Sequence, residues 1–94
     1  MTEFRGRKID AVIDVRSRLE CLFGKVSGAV NLPLNRLERA MPGLAGIGRQ
    51  STLLVYCASG VRSAHAVALL HRMGYAKAID GGGIATVRRE LRQA

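Results

Sequence analysis

The chain has 94 residues and a mass of 10.1 kDa, enough for one small hydrophobic core and too short for two. Hydrophobic residues make up 48% and charged residues 23%, which excludes a disordered chain. Fifteen Lys and Arg against seven Asp and Glu give a net charge of +8, which favours an anionic partner: a small oxyanion, nucleic acid, or an acidic protein or membrane surface.

Ile9 to Val15 (IDAVIDV) is nearly continuous, β-branched and apolar, as a strand covered on both faces reads. Arg16 to Phe23 is polar enough for a short surface helix, and Val26 to Leu32 is a weaker strand candidate. Pro33 fits the first turn of a helix, where Leu34, Leu37 and Met41 form an inward stripe. Pro42-Gly43 ends it, and Gly43 to Ser51 is a loop. Thr52 to Cys57 (TLLVYC) is the second buried strand. After a glycine-containing turn, Ser63 to Met73 forms a helix with Ala66, Val67, Leu70 and Met73 inside, stopped by Gly74. Lys77 to Asp80 is a short strand and Gly81-Gly82-Gly83 a flexible turn. Ile84, Val87 and Leu91 mark a last helix whose other face carries Arg88, Arg89 and Arg92. Strands alternate with helices, so residues 1–94 are expected to form a single α/β domain with a small, mostly parallel sheet of four to five strands.

Two cysteines, Cys21 and Cys57, do not make a disulfide framework. Without CxxC or HxxxH spacing, no metal site is expected. The apolar runs are far short of a membrane span, and the first residues carry no apolar leader segment. A cytoplasmic location is expected, the periplasm being the alternative had a signal peptide been removed.

Ligands of parallel sheets bind at the carboxyl ends of the strands. Asp14, Arg16, Asn31, Cys57 and Asp80 fall at those ends. Cys57 closes a buried strand just before a helix, across a turn of small residues (Ala58, Ser59, Gly60). Successive N–H groups of such a turn converge on one centre, and the helix adds its positive end. A thiol there is stabilised as the nucleophilic thiolate. Arg62, five residues on, adds a fixed charge and a bidentate donor for an oxyanion. The competing reading is that Cys57 is an inert packing residue.

The stretch Val55 to Ser63 (VYCASGVRS) resembles the active-site loop of the rhodanese family of sulfurtransferases. Asp14-Val15-Arg16, Glu20 and Gly24 to Pro33 (GKVSGAVNLP) resemble that family's DVR…E…GHIPGAIN stretch without a gap. Leu70 to Tyr75 and Gly82-Gly83-Ile84 fit its last part, so the resemblance covers about residues 9 to 87. It is nearest to the minimal single-domain members of the phage-shock-protein E type. Lys25 stands where the family usually has His, Cys21 where an aromatic is common, and Val87 where Trp is frequent.

The resemblance implies thiosulfate sulfurtransferase activity. Cys57 takes the outer sulfur of thiosulfate as a persulfide, sulfite leaves, and cyanide, a thiol or a partner protein accepts the sulfur. It further implies that the N–H groups of Ala58, Ser59, Gly60, Val61, Arg62 and Ser63 hold the negative terminal sulfur, and that no metal or organic cofactor is needed. Arg62 helps draw in the anionic donor.

Asp14 and Arg16 read as supports of the site, pairing with loop groups that include Glu20. Cys21 reads as packing rather than a resolving thiol. His65 and His71 receive no role. The triple glycine lacks the spacing and the Lys-Ser/Thr ending of a phosphate loop. One alternative function is a persulfide carrier or binding module serving a partner protein. Nucleic acid is disfavoured because no aromatic-basic stripe appears. A cysteine-dependent phosphatase or arsenate reductase is the lesser alternative. Its loop has five residues between Cys and Arg, against four between Cys57 and Arg62.

Overall fold

The two apolar runs become the two inner strands of a parallel sheet in the computed structural model, which describes residues 1–94. The elements in chain order are β1 (Thr2–Phe4), β2 (Arg7–Lys8), β3 (Ala11–Asp14), α1 (Arg18–Leu22), β4 (Val30–Asn31) and α2 (Leu34–Ala40), followed by a 3-10 turn (Met41–Gly43). Then come β5 (Leu53–Cys57), α3 (Val61–Arg72), β6 (Ala78–Gly83), α4 (Ile84–Glu90) and β7 (Leu91–Gln93). The main sheet has the order β4-β3-β5-β6 and is parallel throughout.

Strand β5 is buried at every position because both of its faces are covered. Its side chains alternate between two cores, as the pleat requires. Leu53, Val55 and Cys57 join Leu37, Met41, Ala66 and Leu70 under α2 and α3. Leu54 and Tyr56 join Phe4, Val26 and Val87 on the opposite face, under α4 and the N-terminal strand.

Several elements differ from the sequence expectation. The eight residues ahead of Ile9 form a hairpin, β1–β2, which with β7 makes a second, antiparallel sheet in the order β2-β1-β7. The last helix therefore stops at Glu90, and Leu91 pairs with Phe4 in that sheet. Only Val30–Asn31 of the segment Val26 to Leu32 is a strand, because Ser27-Gly28 turns the chain first. Pro33 caps α2 rather than entering it.

Two corrections bear on the site. Helix α3 starts at Val61, not Ser63, so Val61, Arg62 and Ser63 form its first turn. The glycine run is not a flexible turn but the end of β6. Val55 pairs with Asp80 and Tyr56 with Gly82, so Gly81 is the extra residue of a bulge. A Cβ on Gly81 would lie 3.0 Å from both Leu54 and Val87, which is why the bulge carries glycine there.

Candidate active site

Cys57 ends β5 at the carboxyl edge of the sheet and is fully buried. Residues 58–60 curl back over it before α3 begins. Gly60 takes φ +104°, a left-handed conformation that glycine adopts without a Cβ clash. The Gly60 N–H donates to Cys57 Sγ, 2.9 Å away. Gly60 is also the N-cap of α3 and supplies no capping side chain. The sulfur lies at that end of the helix, accepting from the Gly60 N–H and within 3.7 Å of the Ser63 hydroxyl.

Burial is the largest single influence on Cys57 and pushes its thiol up. The N–H and hydroxyl of Ser63 and the N–H groups of Gly60 and Ser59 together outweigh it and hold the thiol below its ordinary value. The N-terminal end of a twelve-residue helix adds to the same effect. The buried sulfur is thus poised toward thiolate.

The loop rests on the glycines of β6. A Cβ on Gly83 would stand 2.7 Å from the Ala58 carbonyl oxygen and 3.4 Å from Ser59 Cα, so no larger residue fits without displacing the loop. Beside it, Ser63 is fully buried, and its Oγ lies 2.7 Å from Asp80 Oδ1, 3.0 Å from Gly60 O and 3.7 Å from Cys57 Sγ. Sequence reasoning placed Asp80 at a strand end but missed this link. The two residues are 17 apart, and no local pattern announces the pair.

The structure brings Cys57, the Gly60 N–H and the Ser63 hydroxyl together at one centre. Ala58, Ser59 and Val61 have exposed side chains on the outer side of the loop. Arg62 does not reach freely into solvent. Its two guanidinium nitrogens donate to the two Glu20 carboxylate oxygens at 2.6 and 2.9 Å. The pair holds the Glu20 carboxyl down to about 2, with the Ser17 backbone N–H assisting, and raises Arg62.

Asp14 and Arg16 pair with each other rather than with Glu20. Arg16 Nη2 donates to Asp14 Oδ2 at 2.8 Å and to the Gly24 carbonyl at 2.6 Å, tying β3 to the segment behind α1. Asn31 Nδ2 donates to the carbonyls of both residues and fastens β4 beside them. Cys21 is half-buried with its sulfur 3.9 Å from Arg16 Nη2. Burial, then Asp14, pushes its thiol up, the opposite of Cys57. His71 Nε2 lies 2.9 Å from the Ala78 carbonyl, and His65 is exposed. A surface cavity of about 530 Å³ opens beside Arg62, lined also by Val15, Ser17, Pro33, Leu34 and Asn35.

Comparison with known proteins adds to this geometry. Residues 2–84 match the family model described as "Rhodanese-like domain". The "Probable adenylyltransferase/sulfurtransferase MoeZ" of Mycobacterium tuberculosis is 34% identical over 87 residues, which is 92% of this chain but 22% of that protein's length. The chain thus spans about a fifth of that longer relative. The "Thiosulfate sulfurtransferase PspE" of Escherichia coli is 32% identical over 75 residues, 80% of this chain and 71% of that one. A solved structure of rhodanese with anions from E. coli superposes with a TM-score of 0.71 at 27% identity, covering 89% of this chain and 98% of that one.

Proposed function

The chain belongs to the rhodanese-like domain family, and on that footing we propose that it is a thiosulfate sulfurtransferase working through a Cys57 persulfide. The observation that carries the proposal is the buried Cys57 sulfur, held below its ordinary value by the N–H groups and the hydroxyl that surround it. PspE, which bears thiosulfate sulfurtransferase in its name, supports the choice of donor.

The steps follow from that arrangement. The Cys57 thiolate attacks the outer sulfur of thiosulfate. The sulfur–sulfur bond of thiosulfate breaks, and its electron pair departs with sulfite. Cys57 then carries a terminal sulfur with a negative charge, and the N–H groups of the loop from Ala58 to Ser63 stabilise it. Cyanide or a thiolate attacks that terminal sulfur. The bond to Sγ breaks, its electron pair returns to Cys57, and the loop again holds a thiolate. Each half-reaction releases one product before the next reactant binds, so ping-pong kinetics are expected.

A second reading keeps the same chemistry but gives the sulfur to a partner protein. It draws on the exposed side chains of Leu19, Leu22 and Phe23 around α1, and of Val61 on the catalytic loop. Turnover of thiosulfate and cyanide by the native protein and by Cys57→Ser tests the proposal. Native turnover lost in the variant supports it. Absence of native turnover rejects free thiosulfate as donor.

A further inference from the structure

Ser63 has one hydroxyl proton and more acceptors than it can serve. Asp80 Oδ1 is the nearest at 2.7 Å, and it is a carboxylate, so the charge-assisted bond to it is the strongest available. The Gly60 and Gly82 carbonyls, at 3.0 and 3.4 Å, are weaker competitors. Asp80 is itself fixed, since the same Oδ1 accepts the Gly82 N–H at 2.8 Å across the bulge of β6. With its proton given to Asp80, Ser63 turns a lone pair toward Cys57 Sγ, 3.7 Å away. A thiol can donate to that lone pair. A thiolate needs that proton as its donor, so Asp80 and the thiolate compete for it.

We propose that Asp80 is a positioning residue for Cys57: it competes with the sulfur for the Ser63 hydroxyl proton, and so weakens the support that the hydroxyl gives the thiolate. The inference rests on the reading of Cys57 as the reacting thiol. Asp80 thereby sets a balance. The N–H groups make the sulfur nucleophilic, and the Asp80–Ser63 bond keeps it from becoming so stable a thiolate that its nucleophilicity falls.

The other charged and titratable groups around the loop are engaged or exposed. On α3, Arg62 is paired with Glu20 of α1, His71 lies against the Ala78 carbonyl, and His65 is exposed. On β3, Asp14 is paired with Arg16. On β5, Tyr56 points to the opposite face, where its hydroxyl oxygen accepts the Val26 N–H. On α4, Arg88 and Arg89 are exposed.

The test is the pH dependence of Cys57 alkylation by iodoacetamide, without any sulfur donor, in a Cys21→Ser background so that one thiol reports. Asp80→Asn keeps the shape and removes the charged acceptor. It should move the alkylation profile to lower pH by about half to one unit. In Ser63→Ala the same Asp80 change should produce less than half of that shift, because the hydroxyl through which it acts is gone. A profile unmoved by Asp80→Asn overturns the proposal. So does an equal shift with and without the hydroxyl, which would mark Asp80 as a bare charge. Should Ser63→Ala fail to fold, salt makes the distinction: a contact effect persists at high ionic strength, whereas a bare field effect is screened away. Because alkylation needs no thiosulfate, a native protein that shows the profile but no thiosulfate–cyanide turnover rejects the functional reading and leaves this one standing.

Discussion

Arg62 and Glu20 lie 42 residues apart and meet fork to fork, two guanidinium nitrogens on two carboxylate oxygens at 2.6 and 2.9 Å. Arg62 belongs to the first turn of α3 behind the loop that follows Cys57, and Glu20 to α1. No residue of α1 is buried. The pair therefore fastens a helix that apolar packing does not hold, and it partly neutralises the cation expected to attract an anionic donor.

The two residues should act oppositely on thiosulfate use. Arg62→Ala removes the cation and leaves Glu20 beside the loop, so the KM for thiosulfate should rise by about three- to tenfold. Glu20→Gln frees the Arg62 charge and should lower it. Raised salt should shrink both effects. Steady-state kinetics at two ionic strengths decide, and a KM raised equally by both substitutions would mean that the pair serves only to hold α1.

Acid should loosen the same contact. The Glu20 carboxyl is depressed from 4.5 to about 2 in the folded protein. A depressed acid contributes stability that is complete above its unfolded value and is lost as pH falls through its folded value. Stability should thus decline between about pH 5 and pH 2, and Glu20→Gln should flatten that part of the curve. Both side chains are about one-third exposed, so water screens the pair and the contribution is small. Thermal unfolding of both proteins across this range measures it.

Gly83→Ala should damage the site without the chemistry being touched. Its Cβ would press on the Ala58 carbonyl and push the loop off Cys57, and sulfur transfer should fall about tenfold to a hundredfold. Gly43→Ala meets nothing within 4 Å and should leave activity unchanged. Assays of the two variants side by side, with their melting temperatures, separate loop displacement from general destabilisation.

The four-residue gap between Cys57 and Arg62 should favour sulfur over phosphate. Shortening the ring draws the point where its N–H groups converge toward Sγ, leaving room for one sulfur atom and not for three phosphoryl oxygens. The native protein should not hydrolyse an aryl phosphate. A glycine inserted between Gly60 and Val61 should weaken sulfur transfer and admit phosphate or arsenate. Cys57-dependent phosphatase turnover by the native protein would favour the other reading.

The inner strands were legible because Ala11–Asp14 and Leu53–Cys57 are apolar on both faces, and such runs have few other homes. The place of Cys57 at the end of a strand was legible from the buried run before it and the glycine turn after it. The antiparallel sheet was not, because its strands are two or three residues long and mostly polar, with Phe4 and Leu91 alone joining the core. The glycine run read as a turn because its β character comes from pairing with β5, a tertiary fact. The Glu20–Arg62 and Asp80–Ser63 contacts join residues far apart in the chain, and neither leaves a local pattern.

The central claim is that Cys57 alone carries the transferred sulfur, and intact-protein mass after incubation with thiosulfate tests it most directly. The native protein and Cys21→Ser should each gain the mass of one sulfur atom, and cyanide or a reductant should remove it. Cys57→Ser should gain nothing. An adduct that persists in Cys57→Ser, or a native protein that takes up no sulfur, would contradict the account.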